Sequence, residues 1–271
     1  MPQDLRARVL EQEELGGGCF RMRLDAAPIA REARAGQFVM LGLPDPAETL
    51  VRRPFSVARL VPGVEDPVAL ELVYKVYGRR TRQMARFRPG TEVALLGPLG
   101  RGFWLPGEGE RTEVLLVAGG IGAAPFPLFL QRAGTDLAAR TTLFLGGGSR
   151  DDLLLVDWFR ERCGEVILVT EDGSAGERGL VTGPLARRLD TPARGERVVL
   201  ACGPRPMLRA VAELCLARDV PCQLSLEERM ACGFGACLGC VVERRHPDGE
   251  FDRYVRVCTE GPVFDAREVL P

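Results

Sequence analysis

Apolar and polar positions change their period once along this chain, near residue 105. Before that point short apolar stretches are cut by turn residues. Gly36-Gln-Phe-Val-Met-Leu-Gly-Leu43 runs from a glycine to Pro-Asp-Pro, and residues 91–96 are entered through Arg-Pro-Gly and left through Gly97-Pro98-Leu-Gly100. Val68, Leu70, Leu72, Tyr74 and Val76 alternate with a period of two, as a half-buried strand requires. Short strands at turn-rich spacing predict a small β-barrel over residues 1–106. The only helix expected within it runs from Thr81, as N-cap, to about Phe87.

Leu105-Pro-Gly-Glu-Gly-Glu110 reads as a linker, and beyond it the alternation stops. Val114-Leu-Leu-Val-Ala118 is apolar throughout, which suits a parallel strand covered on both faces. Similar strands are expected at 142–145, 166–170 and 198–201. Helices fit between and after them, from Pro125 to about Ala133 and at 151–163, 183–189 and 206–218. Alternating strands and helices predict a doubly wound parallel-sheet nucleotide domain over 107–222, and residues 223–271 remain as a small C-terminal module. The expected class is therefore α/β plus β, in three parts.

Charge and composition narrow the functions. The net charge of −1 leaves no electrostatic footprint for nucleic acid or an anionic membrane. No apolar run approaches a membrane span, and Met-Pro-Gln-Asp-Leu-Arg lacks the layout of a secretory signal. Nine cysteines in such a chain read as reduced thiols and ligands of a cytoplasmic protein.

Four of those cysteines stand apart. Cys232-Gly-Phe-Gly-Ala-Cys237-Leu-Gly-Cys240 has x4 and x2 spacing, and Cys258 follows in Val-Cys-Thr-Glu-Gly-Pro. A [2Fe–2S] centre takes four thiolates, and plant-type ferredoxins space them in this way. The intervening glycines allow backbone N–H groups to approach the sulfurs. A structural zinc prefers paired short spacings, and a disulfide suits a secreted chain, so both fit less well. The lone His246 lies at a hairpin tip and reads as solvated. Cys163 and Cys215 read as small core residues.

Phosphate-binding features lie upstream. Arg53-Pro54-Phe55-Ser56 offers a guanidinium for a diphosphate and a hydroxyl for a flavin ring nitrogen, although such a short string also suits a plain strand start. Gly119-Gly120-Ile-Gly122 follows a strand and opens a helix, where a phosphate or a packing turn fits, and it lacks the G-x-G-x-x-G pattern. Cys202-Gly203-Pro-Arg-Pro-Met repeats the arrangement, with the Cys202 thiol near where a nicotinamide would lie. Ser149 and Arg150, after Gly146-Gly-Gly, suit a ribose or 2′-phosphate contact, or in the case of Ser149 a helix cap.

In this order, the motifs resemble the ferredoxin–NADP reductase superfamily over nearly the whole chain. Ser225-Leu-Glu-Glu-Arg-Met-Ala-Cys232 and its continuation to Cys240, with Cys258-Thr-Glu-Gly-Pro-Val-Phe-Asp265, resemble the electron-transfer subunit family of dihydroorotate dehydrogenase B. The resemblance implies FAD in the barrel, NAD or NADH as two-electron partner, and a [2Fe–2S] cluster on Cys232, Cys237, Cys240 and Cys258. Electrons would pass to or from the FMN of a separate catalytic subunit that interconverts dihydroorotate and orotate, in a two-plus-two heterotetramer. It assigns the flavin to Arg53, Pro54, Phe55, Ser56, Val73, Tyr74, Lys75, Arg80 and Thr81, and the dinucleotide to Gly119, Gly120, Gly122, Cys202 and Gly203. No catalytic acid or base is expected here, since hydride transfer needs none and the proton chemistry belongs to the partner.

One departure stands out: Gly78-Arg79-Arg80-Thr81 replaces the family's Gly-x-Gly-Thr, and an arginine forced into a left-handed glycine conformation would be strained. Cys232 argues against related bifurcating transhydrogenase or sulfhydrogenase subunits, which often carry aspartate there. An oxygenase reductase would carry a longer ferredoxin module. Phe234 and Leu238, in a low-charge run, are expected either to face the catalytic subunit or to pack within this chain.

Overall fold

The computed structural model describes residues 1–44, 51–63, 67–104, 112–193, 195–249 and 252–269. Among them, six strands close into an antiparallel barrel in the order β1-β2-β5-β4-β3-β6. The strands are β1 (Gln3–Gly16), β2 (Cys19–Asp25), β3 (Phe38–Gly42), β4 (Arg53–Pro62), β5 (Pro67–Lys75) and β6 (Glu92–Leu99). Inward positions such as Val9, Met22, Leu24, Val39, Leu70, Leu72 and Leu95 fill the barrel. On β3 the alternate positions Phe38 and Met40 face a second core, shared with the thiol module.

The barrel differs from expectation in three places. A six-residue helix, α1 (Ala27–Glu32), packs Ile29 and Ala30 into the core, and it is too short to show a helical period. β5 is buried on both faces rather than one. Its outer residues are covered because Glu71 is gripped by Arg23 and Arg59, while Val73 meets Ala124 and Leu154 of the next unit. The helix α2 (Arg79–Met84) starts ahead of Thr81 rather than at it. The Thr81 hydroxyl accepts from the N–H groups of Tyr77 (3.0 Å) and Gly78 (3.1 Å), so it caps the turn from inside. Arg80 is helical with negative φ, and the strain expected there is absent.

A second sheet follows, in the order β10-β9-β8-β7-β11-β12-β15, with β15 (Val263–Asp265) contributed from near the C-terminus. Its parallel strands are β7 (Glu113–Gly119), β8 (Thr141–Gly147), β9 (Glu165–Thr170), β10 (Glu177–Arg178), β11 (Arg197–Cys202) and β12 (Cys222–Ser225). β7 and β11 are buried over most of their length, as their unbroken apolar sequences require. The helices are α3 (Phe126–Ala139), α4 (Val156–Arg160), α5 (Thr182–Leu189) and α6 (Arg205–Leu216). α3 breaks at Gly134 (φ 73°). The helix expected at 151–163 is instead a 3-10 turn, Arg150–Asp152, followed by the short α4, because Leu155 between them is left-handed (φ 57°).

The thiol-bearing module is woven into this sheet. β15 (Val263–Asp265) pairs antiparallel with β12, matching Ser225 to Val263 and Gln223 to Asp265. The expected division between residues 222 and 223 falls within β12, and the linker Leu105–Glu110 lies outside the described residues. Barrel and module also touch directly. Gln223 exchanges two hydrogen bonds with the Trp104 backbone, at 3.1 and 2.9 Å, and Arg101 N–H donates to the Gly261 carbonyl at 2.5 Å. Among the described residues no helix is long and apolar enough to cross a membrane.

Candidate functional site

Two cavities meet at the seam between barrel and sheet. The smaller, about 240 Å³, is lined by Pro54, Phe55 and Ser56 of β4, Val73, Tyr74 and Lys75 of β5, and Thr81 of α2. Cys202, Ser225, Met230 and Pro262 close its far side. Tyr74 is held in place from the barrel interior: its ring stacks on Phe20 and meets Phe55 edge-on, and its hydroxyl donates to Gln12 Oε1 at 3.1 Å. Burial pushes the Tyr74 phenol and the Cys202 thiol well above their ordinary values, so both stay neutral.

The larger cavity, about 600 Å³, lies over the carboxyl ends of β7, β8 and β11, where such sheets take ligands. Gly119, Gly120 and Gly203 line it, as the sequence suggested. Gly122 does not. A Cβ at Gly122 would run into the Cys202 carbonyl, so this glycine serves the close crossing of two strand-end turns. Ser149 and Arg150 are likewise occupied locally: Arg150 donates to the Ser174 carbonyl at 3.0 Å, and Ser149 N–H donates to Asp152 Oδ2 at 3.3 Å.

Lys75, Tyr77, Ile121 and Glu227 line both cavities. Lys75 Nζ spans the seam to Asp152 Oδ1 at 2.6 Å, and that hydrogen bond holds the Asp152 carboxyl below its usual range. Glu227 is open to the cavity solvent, yet the protein crowded around it pushes its carboxyl up from the ordinary 4.5. Sequence reading missed Asp152, Tyr77 and Glu227. The only available signal was position, since Glu227 lies two residues past a strand end in the Ser225-Leu-Glu-Glu stretch.

Two arginines are chain neighbours of residues lining the smaller cavity, Arg53 beside Pro54 and Arg80 beside Thr81. Arg53 Nη1 donates only weakly to the Arg52 carbonyl (3.3 Å), while the Arg52 guanidinium itself is committed to Asp4 at 2.8 and 3.0 Å. Burial, and then the charge of Arg80, lowers the Arg53 pKa. Neither Arg53 nor Arg80 pairs with a carboxylate among the described residues. A flavin dinucleotide fits such a site, because its diphosphate supplies the missing anion.

Met230 of the smaller cavity shares a packed core with two of the four thiols, Cys240 and Cys258. Cys240 and Cys258 flank the base of a hairpin, β13 (Val241–Glu243) with β14 (Tyr254–Arg256), and Val257 N–H donates to the Cys240 carbonyl at 2.9 Å. Cys258 is pushed up to about 12 by burial and by its hydrogen bond with Cys240. Cys232 behaves oppositely. Burial opposes ionisation there, but N–H groups of Cys237, Phe234 and Ala236 and a bond from the Cys237 thiol hold it down at about 6. The direct thiol–thiol interactions thus run between Cys232 and Cys237 and between Cys240 and Cys258.

Among the described residues no three thiol, imidazole or carboxylate groups close on a single metal ion. Two pairs suit a binuclear iron centre, with two thiolates for each iron, better than one tetrahedral zinc. Thr259 Oγ1 is buried beside Cys258 without a partner, a hydroxyl available to an inorganic sulfide. Gly233 (φ 81°) lies flush on Met40 and Leu99, where a side chain would collide, so the loop rests on the barrel wall.

Comparison with known proteins agrees with this layout. A family model described as the iron–sulfur cluster binding domain of dihydroorotate dehydrogenase B matches residues 227–270, and an oxidoreductase NAD-binding domain matches 116–213. Among solved structures, an NADH-dependent reduced ferredoxin-NADP oxidoreductase involved in flavin-based electron bifurcation superposes with a TM-score of 0.80 at 27% identity, over 97% of this chain and 89% of that one. The ferredoxin reductase of carbazole 1,9a-dioxygenase shares the fold, with a TM-score of 0.66 at 21% identity, over 81% and 67%. A barrel and a doubly wound sheet meeting over adjoining cavities, with thiols beside them, define an iron–sulfur oxidoreductase of the ferredoxin reductase fold.

Sequence relatives are more specific. The dihydroorotate dehydrogenase B (NAD(+)) electron transfer subunit of Desulforamulus reducens is 37% identical over 97% of both chains. That of Caldanaerobacter subterraneus is 37% identical over 98% of both, and the Aquifex aeolicus homolog is 36% identical over the full length of both. The chain belongs to the dihydroorotate dehydrogenase B electron transfer subunit family.

Proposed function

We propose that this chain carries electrons between NADH or NAD and the FMN of a dihydroorotate-oxidising subunit, using bound FAD and a [2Fe–2S] cluster. The observation that supports it most is the adjacency of the three sites. The two cavities share Lys75, Tyr77, Ile121 and Glu227, and Met230 of the smaller one packs in a core with Cys240 and Cys258.

A bound flavin accepts hydride as an electron pair and releases electrons singly, which is what a [2Fe–2S] centre requires. Residues of this chain do the holding. Arg53 faces the diphosphate; Pro54 to Ser56 and Val73 to Lys75 shape the ring pocket, with Thr81 at its edge. Gly119, Gly120 and Gly203 leave the nucleotide cavity open to a dinucleotide backbone. Gly122 and buried Cys202 shape the floor between the two ligands. Cys232, Cys237, Cys240 and Cys258 hold the cluster, and backbone N–H groups of the loop favour the thiolate of Cys232. Three working segments follow, near 1–106, 107–222 and 223–271, the last two sharing β12. The partner would be the FMN-bearing subunit in a two-plus-two assembly, acting in the cytoplasm.

Co-purification with candidate dihydroorotate dehydrogenase subunits, followed by an assay of NAD-linked dihydroorotate oxidation, tests this directly. A stable pair that reduces NAD with dihydroorotate is the expected result. No complex and no NAD reduction would overturn the assignment. The 27% identity to the bifurcating oxidoreductase gives a second reading, a subunit serving another acceptor, and the thiol at Cys232 favours the first.

A further inference from the structure

Among the described residues the Arg80 guanidinium has no carboxylate partner. Its Nη1 is buried and has no hydrogen-bond partner, and Arg53 stands close enough for the two charges to repel. Arg52, beside them, is neutralised by Asp4, so the pair is not part of a general arginine network. Their chain neighbours Pro54 and Thr81 both line the smaller cavity, and the two arginines come to it from different elements, β4 and α2. A half-buried guanidinium with an unpartnered nitrogen beside a second positive charge is costly unless an anion lies between them.

We infer that the Arg80 side chain is a second clamp on the diphosphate of the bound flavin dinucleotide, opposite Arg53. This rests on the FAD reading and goes beyond it. The resemblance places Arg80 in the family's third flavin segment, where the usual residue is a glycine with no side chain to offer. Here α2 keeps the position helical, so the backbone is unstrained and the side chain is free to reach the phosphates. Two planar forks match the two phosphate groups, and the clamp makes affinity depend on the phosphates rather than on the isoalloxazine ring.

The test uses the full-length holoprotein and three variants, Arg80→Gly, Arg80→Lys and Arg53→Ala. FAD release on dilution is followed by flavin fluorescence, and riboflavin rebinding and iron content are measured on the same samples. Arg80→Gly is expected to weaken FAD binding by roughly tenfold to a hundredfold, the range of one charge-assisted hydrogen-bonding group. Riboflavin binding and iron should stay within about twofold, since neither depends on the phosphates. Arg80→Lys should fall between, keeping the charge but losing the fork, and the salt dependence of FAD binding should become shallower in Arg80→Gly.

Equal FAD affinity in Arg80→Gly and wild type, with loss only in Arg53→Ala, overturns the clamp and leaves the FAD reading standing. Equal loss of riboflavin and FAD also overturns it, because Arg80 would then act by shaping α2. A wild-type protein that binds no flavin overturns both.

Discussion

Glu71 shows how much one side chain can carry in this barrel. It is 1% exposed on the outer face of β5 and accepts from Arg23 at 2.9 Å and from Arg59. Burial raises its pKa, but the two arginines outweigh that and hold it below the ordinary 4.5. Glu71→Ala should cost about 2 kcal/mol near pH 7, less than a fully buried ion pair because both arginines are partly open to water. A depressed carboxylate stabilises above its unfolded value and loses that contribution as pH falls through the folded one. Denaturant titrations should therefore show wild type and variant converging below about pH 4. At the same scale, Cys237→Ser is expected to lose the iron absorbance while FAD remains bound. Loss of both together would mean that the thiol loop also organises the flavin pocket. The four thiols were legible because their spacing is itself the chemical requirement. Asp152 and Glu227 were not, because their roles come from residues far away in sequence that the fold brings alongside.

Among elements, legibility followed length and period. β7 and β11 were readable as unbroken apolar runs, and β5 by its alternation. α1 and β15 were too short to carry a period, and β15 is defined by its partner β12 rather than by its own three residues. The helix read at 151–163 failed for a local reason, the left-handed Leu155, which no apolar pattern reveals. The loop from Cys232 to Cys240 makes a testable demand at this scale. A Cβ at Gly233 would meet Met40 and require a strained positive φ, so Gly233→Ala should lower iron incorporation at least severalfold while the barrel still binds FAD. Iron-to-flavin ratios of purified variant and wild type measure this, and an unchanged ratio would mean that the loop does not need its seat on β3.

For the whole molecule, four of the ten large apolar side chains exposed among the described residues lie on the thiol loop and its hairpin. Phe234 and Leu238 are 58% and 59% exposed, with Val241 and Tyr254 exposed on the adjoining hairpin. The alternative that Phe234 and Leu238 pack inside this chain is therefore excluded, and a covering partner at this face fits the subunit assignment. Leu238→Asp should weaken complex formation with the catalytic subunit at least tenfold and leave the visible spectrum of the isolated chain unchanged. Gel filtration of mixed subunits reads the first effect and absorbance the second. An unaffected complex would put the docking face elsewhere.

The pairing of β15 with β12 has a consequence for the chain without iron. The thiol module is a side loop of the dinucleotide-binding sheet, returned to it by only three matched residues, and is not a tail that can be lost cleanly. If the cluster helps hold that return, iron-free chain should be cut by protease near β15 faster than iron-loaded chain, and equal rates in limited proteolysis of the two forms would show that the sheet edge stands without iron.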